Sequence, residues 1–458
     1  MLDRPWFMNH MRHLGRFATD GVAFSCVYVT RGIAMDNILG LFEKLESQSL
    51  SVQPNRCVVV RNRHAACRRC AEACPSGAIS VEGNDLAVAP ELCVGCGTCA
   101  TVCPTAALEA RKPDDKELLR AAVAAMQAND GVAVVVDEAM QAAAEGRYDP
   151  TRVVAVKSLA RVDESLIAVL VAGGASSVVL VAGPKAPAEG EGDAAASADG
   201  TGALAAEADD ETAEVDAVID RTARRVRDTA ALLLETWGSD ATVKLTSKLP
   251  RSVRLSDPTG FDAGRRGFFS AMRNEARSAA LITAEHVVRE KLGTEEEEEP
   301  VFAKVGEDGT LPHFLPERRG RLLLALSSLG EPVDTMIDTP LFGHIIIDSE
   351  KCTSCQMCAT FCPTEAIRKF GDAAAAAETG KLFGLDHYTG RCVQCRCCED
   401  ICPAGALTLS ADVFAVDVTK RGRSERIFLK PRSRKLNDPK SIVNAMSALI
   451  DCPNVYER

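Results

Sequence analysis

The chain has 458 residues, 46% hydrophobic and 26% charged, with a net charge of −11. That length predicts about three domains, or several small ones with linkers. The acidic balance and the 5% aromatic content argue against nucleic-acid binding, and no uninterrupted apolar run reaches the roughly 18 residues of a membrane span.

The unusual number is 19 cysteines, all but Cys26 and Cys452 in two short windows. The chain is long, the count is odd and no convincing signal peptide leads it, so a secreted disulfide scaffold is a poor fit. Metal binding in a reducing, cytoplasmic compartment is the expectation. Residues 1–54 are expected to form an N-terminal arm with a helix opening at Met35, which is also an alternative start of the protein.

The first window, residues 55–112, contains Cys93, Cys96, Cys99, Cys103 and Pro104, a C-x2-C-x2-C-x3-C-P run. The second window, residues 345–412, repeats it at Cys352, Cys355, Cys358, Cys362 and Pro363, and again at Cys392, Cys395, Cys398, Cys402 and Pro403. This run is the one that binds [4Fe–4S] clusters in bacterial ferredoxins. Structural zinc sites instead bring two separated C-x2-C pairs to one tetrahedron. Each Cys-Pro leads into a similar small-small-aliphatic segment: Pro75–Ile79, Pro104–Leu108, Pro363–Ile367 and Pro403–Leu407. One supersecondary unit is therefore repeated four times.

On these motifs the chain resembles the bacterial two-[4Fe–4S] ferredoxin family twice over, at 55–112 and at 345–412. The resemblance implies two βαβ-βαβ dicluster modules with four [4Fe–4S] clusters. It also implies crossed ligation, in which the Cys before Pro reaches the neighbouring cluster. Cys57, Cys67 and Cys70 are then expected with Cys103, and Cys93, Cys96 and Cys99 with Cys74. In the second module Cys352, Cys355 and Cys358 are expected with Cys402, and Cys392, Cys395 and Cys398 with Cys362.

The first run is irregular, because His64 stands where its first Cys is due. Either His64 ligates iron through an imidazole nitrogen, as His does in Rieske centres, or Cys57 reaches in over a longer loop, or neither binds and the cluster is [3Fe–4S]. Thiolate is the softer donor, which favours Cys57 and leaves His64 as an alternative ligand or a neighbour that tunes the cluster. Cys397 is expected to be a spare thiol, and Cys26 and Cys452 buried structural ones.

Residues 113–256 carry no cluster motif. Helices at Leu118–Met126, Asp163–Val171 and Val215–Trp237 alternate with strands at Val132–Val136, Arg152–Val156, Ser177–Val181 and Thr242–Leu245. The pattern predicts a small parallel-sheet α/β domain covered on both faces, with an acidic disordered insertion at 186–213. Val153 to Pro184 resembles the delta (iron–sulfur) subunit of methyl-viologen-reducing hydrogenases, which links hydrogenase to heterodisulfide reductase. Where that family carries cysteines, this chain has Val136 to Glu138, Ser158, and Pro184 with Lys185. The resemblance therefore implies a docking or scaffold domain without a cluster. No phosphate-cradling glycine loop supports a nucleotide or flavin here.

Residues 257–344 are expected to hold one helix near 265–292 and a Pro-punctuated connector, with an acidic run at Glu295–Glu299. Residues 413–458 form a basic extension in which Lys420–Lys435 is expected to be a solvated hairpin or a docking face. The fold class expected is thus a mixed α+β and α/β multidomain protein, two ferredoxin-like modules flanking a parallel-sheet domain. The expected role is an electron-transfer protein or subunit of an oxidoreductase, not itself catalytic. Its expected partners are redox proteins of hydrogenase, heterodisulfide-reductase or molybdenum type. A catalytic or scaffold subunit whose α/β domain binds flavin or a partner is the alternative.

Overall fold

The computed structural model describes residues 49–184, 206–255, 311–371, 376 and 379–430. The N-terminal arm up to Gln48, the 265–292 helix, the Glu295–Glu299 run, Cys26 and Cys452 lie outside them, as does most of the 186–213 insertion.

The first module runs strand, helices, hairpin, helix, strand. Strand β1 (Leu50–Val52) is followed by short helices α1 (Val58–Arg61) and α2 (Arg69–Glu72). Strands β2 (Ile79–Glu82) and β3 (Asp85–Val88) form an antiparallel hairpin. Its two-residue turn, Gly83 and Asn84, takes the positive φ that such tight hairpins need. Helix α3 (Thr98–Val102) leads to β4 (Leu108–Ala110), which returns antiparallel to β1. β1 thus lies inside the segment expected to be an arm, and its Leu50 is buried.

The middle domain opens with α4 (Asp115–Ala128), begun by a capping box between Asp114 and Glu117. Strand β5 (Val132–Asp137), helix α5 (Glu138–Ala143), strand β6 (Val154–Val156), helix α6 (Glu164–Ala172) and strand β7 (Ser177–Val181) follow. Asp163 caps α6 by accepting the Leu166 N–H. Long helix α7 (Ala206–Thr236) and strand β8 (Thr242–Thr246) complete the domain. The sheet is parallel throughout, ordered β6-β5-β7-β8. Val135, Val178 and Leu180 face α4, α6 and α7. Val134, Val136, Val179 and Val181 point the other way, to Met140, Tyr148 and Val253. Apolar side chains on both faces are why these strands read as continuous hydrophobic runs.

Two expectations change here. Residues 206–213 of the acidic insertion are helical, because alanine and glutamate are strong helix formers and the packed part of α7 extends the helix backward. The expected strand at Arg152–Val156 shortens to Val154–Val156, since Pro150 and the capping Asp149 hold Pro150–Arg152 in a 3-10 turn.

The expected connector also contains a helix, α8 (Glu317–Leu329), and strand β9 (Met336–Asp338). Pro316 stands just before α8, where a proline starts a helix without breaking it. Leu322, Ala325 and Leu326 of α8 share a buried core with Leu233, Trp237 and Phe342. Arg161 and Arg321 both bond Asp115, at 2.6 and 2.7 Å, tying α8 to the α/β domain.

The second module repeats the first. Strand β10 (His344–Ile347), helix α9 (Met357–Thr360), strands β11 (Ile367–Phe370) and β12 (Gly384–His387), helix α10 (Cys397–Asp400) and strand β13 (Leu407–Ser410) follow in order. β10 pairs antiparallel with β13, and β11 with β12. Strand β14 (Asp412–Phe414) pairs with β9, helix α11 (Ala415–Thr419) follows, and strand β15 (Glu425–Phe428) adds to β12. The basic segment expected as a solvated hairpin is thus in part a third strand of this module. Arg426 holds it there, bonding both Asp386 oxygens at 2.6 Å and lying 4.2 Å over the Phe370 ring. Among the described residues, no helix is long and apolar enough to cross a membrane.

Candidate metal centres

Each cysteine run is a loop ending in a short helix, so its thiols project to one side of a tight turn. In three runs the residues on either side of the second Cys are left-handed: Gly95 and Gly97, Ser354 and Gln356, Gln394 and Arg396. Non-glycine residues hold this conformation at a cost of about 1–2 kcal/mol, so the turn is imposed by its surroundings. Alternating left-handed and ordinary residues turn peptide N–H groups inward, which builds a nest for an anionic group. The residue three beyond each Cys-before-Pro, Gly77, Ala106, Glu365 or Gly405, is also left-handed. The Ala107 and Ala406 N–H groups donate to the Cys103 and Cys402 sulfurs, both at 3.2 Å.

The thiols come together in four groups, each mixing the two runs of one module. Burial pushes the Cys70 thiol up to about 12, and its neighbouring thiols are Cys103, Cys57 and Cys67. Burial likewise raises Cys99, beside Cys96, Cys74 and Cys93, and those same four residues line one cavity with Leu50, Ile79 and Val94. Cys358 is raised by burial and next by Cys355, with Cys352 and Cys402 also near. Cys398 is raised by burial and then by Cys395, Cys392 and Cys362. Buried thiols of this kind stay protonated until a metal displaces the proton. Four soft donors in each group suit an iron–sulfur cluster, the metal group that thiolates select.

The first run differs in its backbone as well as its spacing. None of residues 64–68 is left-handed. Cys57 enters from the start of α1, buried beside Cys103 and Cys67. His64 is exposed, its ring 3.5 Å from the Arg63 Nε and its N–H on the Asn62 side chain. Cys57, and not His64, is thus gathered with Cys67, Cys70 and Cys103.

One feature escaped the sequence reading. Arg319 on α8 is buried, stacked 4.4 Å over Phe342. Burial pulls its pKa down to about 10 and Cys392 pulls the other way, so it remains a cation beside the fourth thiol group. Cys397 is 1% exposed and lies against the fourth group, beside Cys395 and Cys362. No local signal marks Arg319, since its partners Phe342 and Cys392 come from distant segments.

The carboxyl end of the sheet is filled between β5 and β7. Between β5 and β7, where an open α/β sheet would bind a ligand, the Asp137 carboxylate accepts the Met140 and Gly183 N–H groups at 2.7 and 2.8 Å. A Cβ on Gly183 would stand 2.2 Å from the Met140 nitrogen. This packing weighs against a flavin phosphate at that position.

Comparison with known families gives three matches. A 4Fe-4S dicluster domain matches residues 65–107. A 4Fe-4S binding domain matches 345–368, and a further 4Fe-4S binding domain matches 389–405. No curated protein and no solved structure matches the chain. The chain is accordingly an iron–sulfur protein with ferredoxin-like 4Fe-4S domains, and such domains transfer electrons.

Proposed function

We propose that this protein carries four [4Fe–4S] clusters and relays single electrons between redox proteins, as an electron-transfer subunit of an oxidoreductase. The ligands are Cys57, Cys67, Cys70 and Cys103 for the first cluster, and Cys93, Cys96, Cys99 and Cys74 for the second. Cys352, Cys355, Cys358 and Cys402 hold the third, and Cys392, Cys395, Cys398 and Cys362 the fourth. The observation that carries this reading is the neighbourhood of thiols from two runs in every group, with the Cys before Pro always crossing over. Each bound cluster supplies one reversible electron. The protein's part is to exclude water by burial, to donate peptide N–H groups to sulfur, and to set charge nearby, as Arg319 does.

The filled sheet end between β5 and β7 favours a scaffold over a catalytic role for the α/β domain, and partners of hydrogenase, heterodisulfide-reductase or molybdenum type fit the delta-subunit resemblance. Unpaired thiols in this number suit a cytoplasmic setting. Reductive titration of anaerobically purified protein should take up about four electrons per chain. Uptake of two or fewer at full cluster loading would overturn the proposal.

A further inference from the structure

We propose that the two modules meet at a built junction that sets the first and fourth ligand groups side by side, so that the chain holds one line of clusters in the order third, fourth, first, second. The proposal rests on the four-cluster reading. Its evidence is the contact between the ligand loops themselves. Arg69 lies between Cys67 and Cys70, and its Nη2 donates to the backbone oxygen of Gln394, between Cys392 and Cys395, at 2.8 Å. Nearby, the Ala66 N–H donates to Asp400 Oδ2 at 2.8 Å. Apolar side chains pack between these bonds, with Arg61 and Asp400 also close to Cys397. Cys397 and Ile401 belong to the same buried core as Cys57, Cys70 and Cys103, with Phe361 and Cys395 packed against it. The Cys397 sulfur stands 3.9 Å from the carbonyl of Phe361, the residue before Cys362.

Burial follows the same order. Three of four thiols are buried in the first group (Cys57, Cys70, Cys103) and in the fourth (Cys362, Cys392, Cys398). In the second only Cys99 is fully buried, and in the third Cys352, Cys358 and Cys402 are half-buried and Cys355 is exposed. The groups at the junction are thus the more shielded, and the outer ones are the more accessible. A charge at the junction acts on both inner groups, one in each module, because it lies against a buried core where water screens it little.

The test uses potentials on the full chain. Arg69→Gln removes a cation that favours the reduced form of both inner clusters, so two of the four reduction steps should move to lower potential, and Arg69→Lys should restore them in large part. Movement of one step alone, or of none, would overturn the junction. A second measurement removes the outer clusters with Cys93→Ala, Cys96→Ala, Cys352→Ala and Cys355→Ala. The two clusters left should broaden each other's paramagnetic resonance signals when both are reduced, and two independent signals would contradict the proposal. Failure of the four-cluster reading is separable: it shows as low iron in the unmodified protein, whereas failure of the junction shows at full iron.

Discussion

Replacing Cys57 by alanine should destroy the first [4Fe–4S] cluster or convert it to a [3Fe–4S] form, while His64→Ala should leave all four clusters in place. The first outcome follows from the donor count. Without Cys57 the first group has three thiols, and the cube corner it held has no soft donor to replace it. The second follows from position, since the His64 ring is exposed and lies against Arg63. The cost of losing Cys57 extends beyond the metal, because its loop closes the core around Val58 and Val59. A cubane missing a corner has a distinct resonance signal in the oxidised state, so the two forms are separable on the same sample. Nitrogen hyperfine coupling in pulsed spectra of the reduced protein would instead assign His64, and intact [4Fe–4S] signals for all four clusters in Cys57→Ala would show the ligand set to be wrong.

The crossed arrangement makes an equally large and stranger prediction about pairs of substitutions. Cys402 lies in the run that begins at Cys392, yet its thiol neighbours Cys358 of the other run. Cys402→Ala should therefore strip the cluster held by Cys352, Cys355 and Cys358. Combining it with Cys355→Ala should cost no more iron than either change alone, about four atoms per chain. Combining it with Cys395→Ala should cost about eight. If each run closed its own cluster, the two double variants would exchange results, so iron content decides the matter without a structure.

Much of this architecture is legible along the chain because its causes are local. The thiol spacing is set by what one loop can wrap, the valine runs by burial on both sheet faces, and the start of α6 by one aspartate, Asp163. Where the reading failed, the deciding partner was remote. Glu317–Leu329 follows three prolines and looks like a connector, but its leucines are drawn into a helix by Trp237 and Phe342. Glu425–Phe428 carries the charge of a solvated loop, and only Asp386 and Phe370, far earlier in the chain, make it a strand. Cys397 has no meaning within its own motif. Its surroundings come from Phe361 in one direction and from the distant first module in the other. The ligands could be proposed from spacing, whereas the junction between modules has no signature in either run.

The central claim is four cubanes on sixteen thiolates, and the most direct measurement is iron and acid-labile sulfide on anaerobically purified protein, with Mössbauer spectra of the same sample. About sixteen iron and sixteen sulfide per chain, all iron in [4Fe–4S] environments, is the result predicted. A colourless protein with its thiols filled by zinc, or a loading that stops at about eight iron with every ligand cysteine intact, would contradict it.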